Sequence, residues 1–153
     1  MSHSIRRARG EDHARITEIR NAASENKLGE ASRPLVDRDY PWFRDSPGVW
    51  VWEEDGEILG FSAADTRDGS IWALFVAPGH ERRGIGRALF EKALGVLRQY
   101  GHGTAWLTTE PGSRAERFYR AAGWKVIGTS QKGELIFHSR ISRNKSALNA
   151  HLG

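Results

Sequence analysis

The chain has 153 residues, 39% of them apolar, with six Trp, six Phe and three Tyr to fill one core and 27% charged residues to cover it. It contains no cysteine, which excludes disulfides, thiolate metal sites and a cysteine nucleophile. The net charge is +4, but the basic residues are dispersed along the chain and carry no zinc-finger, helix-turn-helix or RNP pattern, so nucleic acid is not expected as a partner.

Met1 to Gly10 shows no apolar run of the signal-peptide kind, and no window approaches eighteen apolar residues. The expectation is a cytoplasmic protein with no membrane contact. His3 to Ala8 reads as a strand. Gly10-Glu11-Asp12 starts a helix, with carboxylates where the helix dipole favours them. Ala14, Ile16, Ile19 and Ala22-Ala23 are its apolar stripe. Asn, Gly, Ser and Pro between Glu25 and Pro34 mark a loop, and Asp37 to Arg44 reads as a short helix bearing Tyr40, Trp42 and Phe43. Val49 to Trp52 and Ile58 to Ala64 read as a hairpin turned at Asp55-Gly56. A second turn at Asp68-Gly69 leads into a strand ending at Val76. Ile85, Leu89, Ala93 and Val96-Leu97 recur at helical spacing up to Gly101. Thr104 to Thr109 is a strand, Pro111-Gly112-Ser113 a helix start, and Arg114 to Ala122 a helix closed by Gly123. Trp124 to Thr129 and Leu135 to Ile141 form a last hairpin. Residues 1–142 are read as one domain and 143–153 as a polar tail. A mixed sheet with helices on both faces follows from the order β-α-α-β-β-β-α-β-α-β-β.

The most informative stretch runs from Leu74 to Ala88. A strand ends at Pro78-Gly79, and Gly84-Ile85-Gly86 then opens a helix. Unpaired N–H groups, the positive end of the dipole and missing Cβ atoms make such a turn a phosphate site, and Arg82, Arg83 and Arg87 add charge.

The strand Ser70 to Val76, the turn Glu81-Arg82-Arg83-Gly84-Ile85-Gly86 and the later run from Ala115 to Trp124, Ala-Glu-Arg-Phe-Tyr-Arg-Ala-Ala-Gly-Trp, together resemble the GNAT superfamily of acetyl-CoA-dependent N-acetyltransferases. The resemblance covers about residues 3–142. It implies a mostly antiparallel, twisted sheet of about seven strands with a V-shaped splay between its two central strands. It implies that backbone amides of Arg82, Arg83, Gly84, Ile85, Gly86 and Arg87 bind the pyrophosphate of acetyl-CoA, the cosubstrate. The pantetheine arm would then pair with Leu74, Phe75 and Val76. A backbone N–H near Phe75 or Val76 would polarise the thioester carbonyl, and Tyr119 would protonate the departing thiolate as general acid. The implied reaction is acetyl transfer to an amine acceptor by direct attack, and a homodimer is compatible with the family.

The chain departs from the family pattern in three ways. Glu81 stands where Gln or Arg is usual. Gly112, with Ser113 beside it, occupies the place of an Asn that touches the pantetheine arm. Ser70, Trp72 and Leu107 stand where relatives carry a basic carboxylate. Candidates for the general base are therefore Glu110, Asp65, Asp68, Glu25 and His138, and removal of the proton by solvent is equally open. A non-catalytic acyl-CoA sensor is the alternative reading of the same motifs, and an interaction domain using the basic surface is a third.

Overall fold

Strand-forming runs separated by tight turns assemble one seven-stranded sheet. The computed structural model describes residues 2–25, the side chains of 23–25 excepted, and residues 46–141. Within these, β1 is His3–Arg7, a 3-10 turn at Gly10–Asp12 leads into α1 (His13–Glu25), and β2 (Val49–Glu54), β3 (Glu57–Asp65) and β4 (Ser70–Val76) follow. Next come α2 (Ile85–Gln99), β5 (Thr104–Thr109), α3 (Arg114–Ala121), β6 (Lys125–Thr129) and β7 (Leu135–Arg140). The expected helix from Asp37 to Arg44, its aromatic residues Tyr40, Trp42 and Phe43, and the tail lie outside the described residues. The expected helix start at Gly10 is a 3-10 turn, because Arg6 bonds both Asp12 carboxylate oxygens and the Arg9 N–H bonds one of them, closing the chain tightly there.

The strand order is β1-β2-β3-β4-β5-β7-β6, and every neighbouring pair is antiparallel except β4 and β5. Alternation sends successive β3 residues to opposite faces. Phe61 and Ala63 join Ile16 and Ile19 of α1, together with Val49, Val51 and Phe75. The Ser62 hydroxyl, on the other face, donates to the Leu89 carbonyl of α2 at 3.1 Å. Close seating of α2 needs Gly60, where a Cβ would lie 3.0 Å from Leu89 Cδ1 and 3.1 Å from Ile85 Cγ2. On that second face Phe90, Ala93, Leu94 and Leu97 pack against Ile71, Ala105 and Leu107, with Tyr119 of α3 and Trp124 closing the layer. Helices thus cover both faces of the central strands, as expected.

Two features of β4 prepare a cleft. Ala63 pairs with Ala73 but Ala64 with Ile71, so Trp72 is an extra residue that bends the strand. Toward β5, β4 makes a single parallel pairing, Ser70 with Trp106, and the strands then diverge. This is the expected splay. No helix among the described residues is long and apolar enough to cross a membrane, and no group of three or more His, Asp or Glu among them is placed to hold a metal.

Candidate functional site

Because β5 leaves β4 after one pairing, the edge of β4 facing β5 is unpaired backbone. Register decides which residues expose it. Val76 is opposite Gly60, while the Ala77 N–H bonds the Leu59 carbonyl at 2.8 Å, so Val76–Gly60 is a non-hydrogen-bonded pair. Alternation then commits the N–H and C=O of Phe75 to Phe61 of β3 and turns those of Leu74 and Val76 into the cleft. The sequence reading allowed a cleft-facing N–H at Phe75; the phase of the ladder corrects this to Leu74 and Val76.

At the mouth of the cleft, Gly84 is the N-cap of α2 with φ 85° and no side-chain cap, and the first turn of the helix holds no acidic residue. The Ala88 N–H makes the first intrahelical bond, to the Gly84 carbonyl. The N–H groups of Gly84, Ile85, Gly86 and Arg87 have no acceptor inside the helix, and none among the other described residues meets them. Arg82 adopts φ 67°, a left-handed conformation costing a non-glycine residue about 1–2 kcal/mol.

The arginines divide into two kinds. Arg83 is anchored: its guanidinium bonds both Glu54 carboxylate oxygens, at 2.8 and 3.0 Å, and its Nη1 donates to His80 Nδ1 at 3.0 Å. The Arg83 bonds, followed by one from the Trp52 indole N–H, hold the Glu54 carboxyl below the usual carboxylate range. Arg82 and Arg87 are exposed and make no ion pair with the described residues. The sequence reading missed Glu54, which sits 29 residues away on β2, and no local pattern points to it.

Glu81 turns inward. Its Oε1 accepts the Gly79 N–H at 2.9 Å, so the carboxylate braces the turn rather than seeking an arginine. Glu81→Gln keeps an acceptor oxygen there and removes a negative charge. CoA affinity measured by calorimetry is expected to hold or to improve by at most about 1 kcal/mol. A large loss would show that the charge itself, not the oxygen, organises the turn.

Gly112 and Ser113 are both engaged in capping α3. The Ser113 hydroxyl accepts from the Glu116 N–H at 3.1 Å and donates to the Glu110 carbonyl at 2.6 Å. The Gly112 N–H donates to Glu116 Oε1 at 2.7 Å. That bond, and then Arg120, keep the Glu116 carboxyl below its ordinary range. Gly112 therefore has no free N–H for a ligand.

Tyr119 is 2% exposed. Its ring packs against Phe90, Phe118, Trp124 and Phe137. It shares a buried cluster with Ile71 of β4 and Leu107 of β5, the strands that diverge above it. Its hydroxyl meets no hydrogen-bond partner among the described residues, and burial raises its pKa well above the tyrosine norm.

The base candidates fall in different places. Asp65 is buried and bonded by Arg67 through both oxygens. Asp68 accepts from the Ser70 N–H and hydroxyl. Glu110 is exposed at the mouth, just past β5. His138, half-buried on β7, is the Cα partner of Trp106 and has no hydrogen-bond partner among the described residues. The Glu25 side chain lies outside the described residues.

Comparison with known proteins bears on both the family and the fold. A model of the acetyltransferase (GNAT) family matches residues 14–124. The peptidyl-lysine N-acetyltransferase YiaC of Escherichia coli is 37% identical over 86 residues, 56% of this chain and 55% of that protein. A mycothiol acetyltransferase of Stackebrandtia nassauensis is 32% identical over 127 residues, 75% of this chain and 42% of that protein. The chain spans about half the length of the first curated relatives it matches, which are uncharacterized mycobacterial N-acetyltransferases. Among solved structures, a putative acetyltransferase from Salmonella typhimurium with its cofactor acetyl-CoA superposes at TM-score 0.73 and 24% identity, over 93% of this chain and 95% of that one. A ribosomal-protein-alanine N-acetyltransferase from Brucella melitensis superposes at TM-score 0.72 and 24% identity, over 90% and 99%. At these identities the structural likeness speaks for the fold alone.

Proposed function

Because the chain belongs to the GNAT acetyltransferase family, we propose that it transfers an acetyl group from acetyl-CoA to a primary amine by direct attack in a ternary complex. The observation that carries this reading is one cleft with two unpaired backbone surfaces: the first-turn amides of α2 at its mouth and the Leu74 and Val76 edge along its wall.

In this reading the pyrophosphate sits on the Gly84 to Arg87 amides, where the helix dipole supplies partial positive charge. Arg82 and Arg87 add screened attraction. Arg83, tied to Glu54, shapes the turn instead. The pantetheine arm extends β4 by pairing with Leu74 and Val76, which directs the thioester toward the closed end at Ser70 and Trp106. A cleft-facing N–H from one of these two residues stabilises the oxyanion.

The neutral amine attacks the thioester carbon, the C–N bond forms, the attacking nitrogen gives up its surplus proton to solvent, and collapse of the tetrahedral intermediate breaks the C–S bond. The departing thiolate takes the Tyr119 proton, which solvent later restores. An alkylammonium acceptor must first lose a proton. Glu110 stands four residues past Trp106, about 13 Å along the strand, whereas His138 is beside the closed end. His138 is thus better placed to take that proton through solvent. Holding both reactants in line is the main source of acceleration.

The test is thiol release from acetyl-CoA with a panel of amines: a peptide with an internal lysine, a peptide with a free N-terminal alanine, and a polyamine. The first two follow from the names of the peptidyl-lysine N-acetyltransferase YiaC and of the Brucella melitensis ribosomal-protein-alanine N-acetyltransferase. Turnover with one acceptor class is the expected result. CoA binding without turnover on any acceptor would favour the sensor, and a folded protein that does not bind CoA would overturn both.

A further inference from the structure

We propose that the β3–β4 turn, residues 66–69, is a clasp that sets how far the cleft opens, and that Trp106 and His102 are positioning residues acting through it. This rests on the cleft being the acetyl-CoA site, but its structural half can be tested without turnover.

One parallel pairing is little to hold two diverging strands together. At the closed end the backbone bond of that pairing is backed by two side-chain bonds, all three running from the β5 side to backbone carbonyls of the turn. The Trp106 N–H donates to the Gly69 carbonyl at 3.2 Å, and its indole N–H donates to the Asp68 carbonyl at 3.1 Å. His102 Nε2 donates to the Thr66 carbonyl at 2.7 Å. A carbonyl can only accept, so this geometry also fixes the His102 proton on Nε2.

The turn is built to be seated against this segment. Gly69 has φ 80°, and a Cβ there would stand 3.0 Å from His102 Nδ1 and 3.2 Å from the Thr104 carbonyl. The turn is internally braced as well: Arg67 bonds the buried Asp65, and Asp68 receives both the N–H and the hydroxyl of Ser70. A stiff turn held at three points transmits angle rather than absorbing it. Trp106 is one of three large apolar side chains exposed among the described residues, at 38%. Solvation alone disfavours a tryptophan there, and its indole bond supplies a reason for its presence.

The lever is long. From Ser70 to Val76 the strand runs about 20 Å, so a rotation of about 3° at the clasp moves the far end by about 1 Å. A misplacement of about 1 Å at a reacting pair costs up to about 100-fold in rate. The thioester, seated nearer the clasp than the far end is, moves by only part of that, which sets the expected loss nearer to about 10-fold. The anchoring of pyrophosphate by α2 is independent of this angle to first order, since α2 is seated on β3. Loosening the clasp should therefore separate cofactor binding from chemistry.

The absence of cysteine allows spin labels on introduced cysteines at Pro78 and Pro111, both exposed and on opposite sides of the mouth. The distance distribution between them is to be measured in the labelled protein with and without Trp106→Phe plus His102→Ala. The double variant is expected to shift or broaden the distribution, and His102→Gln, which restores a donor near Nε2, to recover part of it when it replaces His102→Ala. In the unlabelled protein, with any acceptor that turns over, Trp106→Phe and His102→Ala are each expected to lower kcat about 10-fold with CoA affinity within two-fold. An unchanged distribution in the folded double variant would overturn the clasp. A wider mouth with unchanged kcat would overturn the positioning role. Lack of turnover in the wild type would count against the proposed reaction alone, because the distance measurement still decides whether the clasp exists.

Discussion

Gly86→Glu is expected to abolish CoA binding in a protein that still folds. The backbone leaves room for the change: Gly86 has no positive φ, and a Cβ there meets only Val76 Cγ2, at an ordinary 3.6 Å. Within the protein, therefore, the substitution is mild. Toward a ligand it is severe, because the new side chain projects from the amide surface of the first turn and its carboxylate would face phosphate. Two like charges about 4 Å apart repel by about 4 kcal/mol at an effective dielectric constant near 20, close to a thousandfold in affinity. Gly86→Ala separates the steric part from the charge. In the first turn of α2, alanine should raise stability by about 0.5–1 kcal/mol over glycine while its Cβ obstructs close approach of the phosphates. The pair thus predicts opposite signs for thermal denaturation and calorimetry: Gly86→Ala melts higher and binds CoA less tightly. Wild-type affinity in a folded Gly86→Glu protein would remove the amide turn from the cofactor site.

Local patterns were legible in the chain wherever their physics is local. Gly84 and the apolar stripe from Ile85 to Leu97 announce α2 within one residue of its observed start. Ser113 is a readable N-cap because its hydroxyl needs only a partner three residues on. Alternation and Asp55-Gly56 likewise place the β2–β3 hairpin. What could not be read depends on register or on distant partners. Whether Phe75 or its neighbours face the cleft follows from the ladder phase against β3, a matter of register between two strands. Arg83 looks like a phosphate ligand until Glu54 arrives from another hairpin. His102 and Thr66 are 36 residues apart, so the clasp has no sequence signature. Glu81 illustrates the same limit at short range: its departure from the family pattern reads as a defect, yet a bond to the Gly79 N–H gives the carboxylate a use.

Tyr119→Phe is expected to lower kcat on the order of 100-fold, the lower range for loss of a positioned acid, while leaving CoA affinity intact. A thiolate with an ordinary pKa near 8.5 is already a fair leaving group, which sets the effect at that lower range. The environment of the side chain makes the experiment clean. Phenylalanine retains the ring contacts with Phe90, Trp124 and Phe137, and the lost hydroxyl has no partner among the described residues to leave unsatisfied. Stability near neutral pH should be unchanged or slightly raised. Burial provides a second readout, independent of any acceptor. The neutral phenol is favoured in the folded protein, so its folded pKa lies above the unfolded value. Stability from this group is fully present below about pH 10 and is lost as pH rises from there toward the folded pKa, by up to about 1.4 kcal/mol per pH unit. Denaturant titrations across the alkaline range should show this slope in the wild type and a shallower one in Tyr119→Phe. Equal slopes would mean that the hydroxyl is solvated rather than buried. Equal kcat at saturating substrates, with chemistry shown to limit the rate, would reduce Tyr119 to a core residue and move protonation of the thiolate to water.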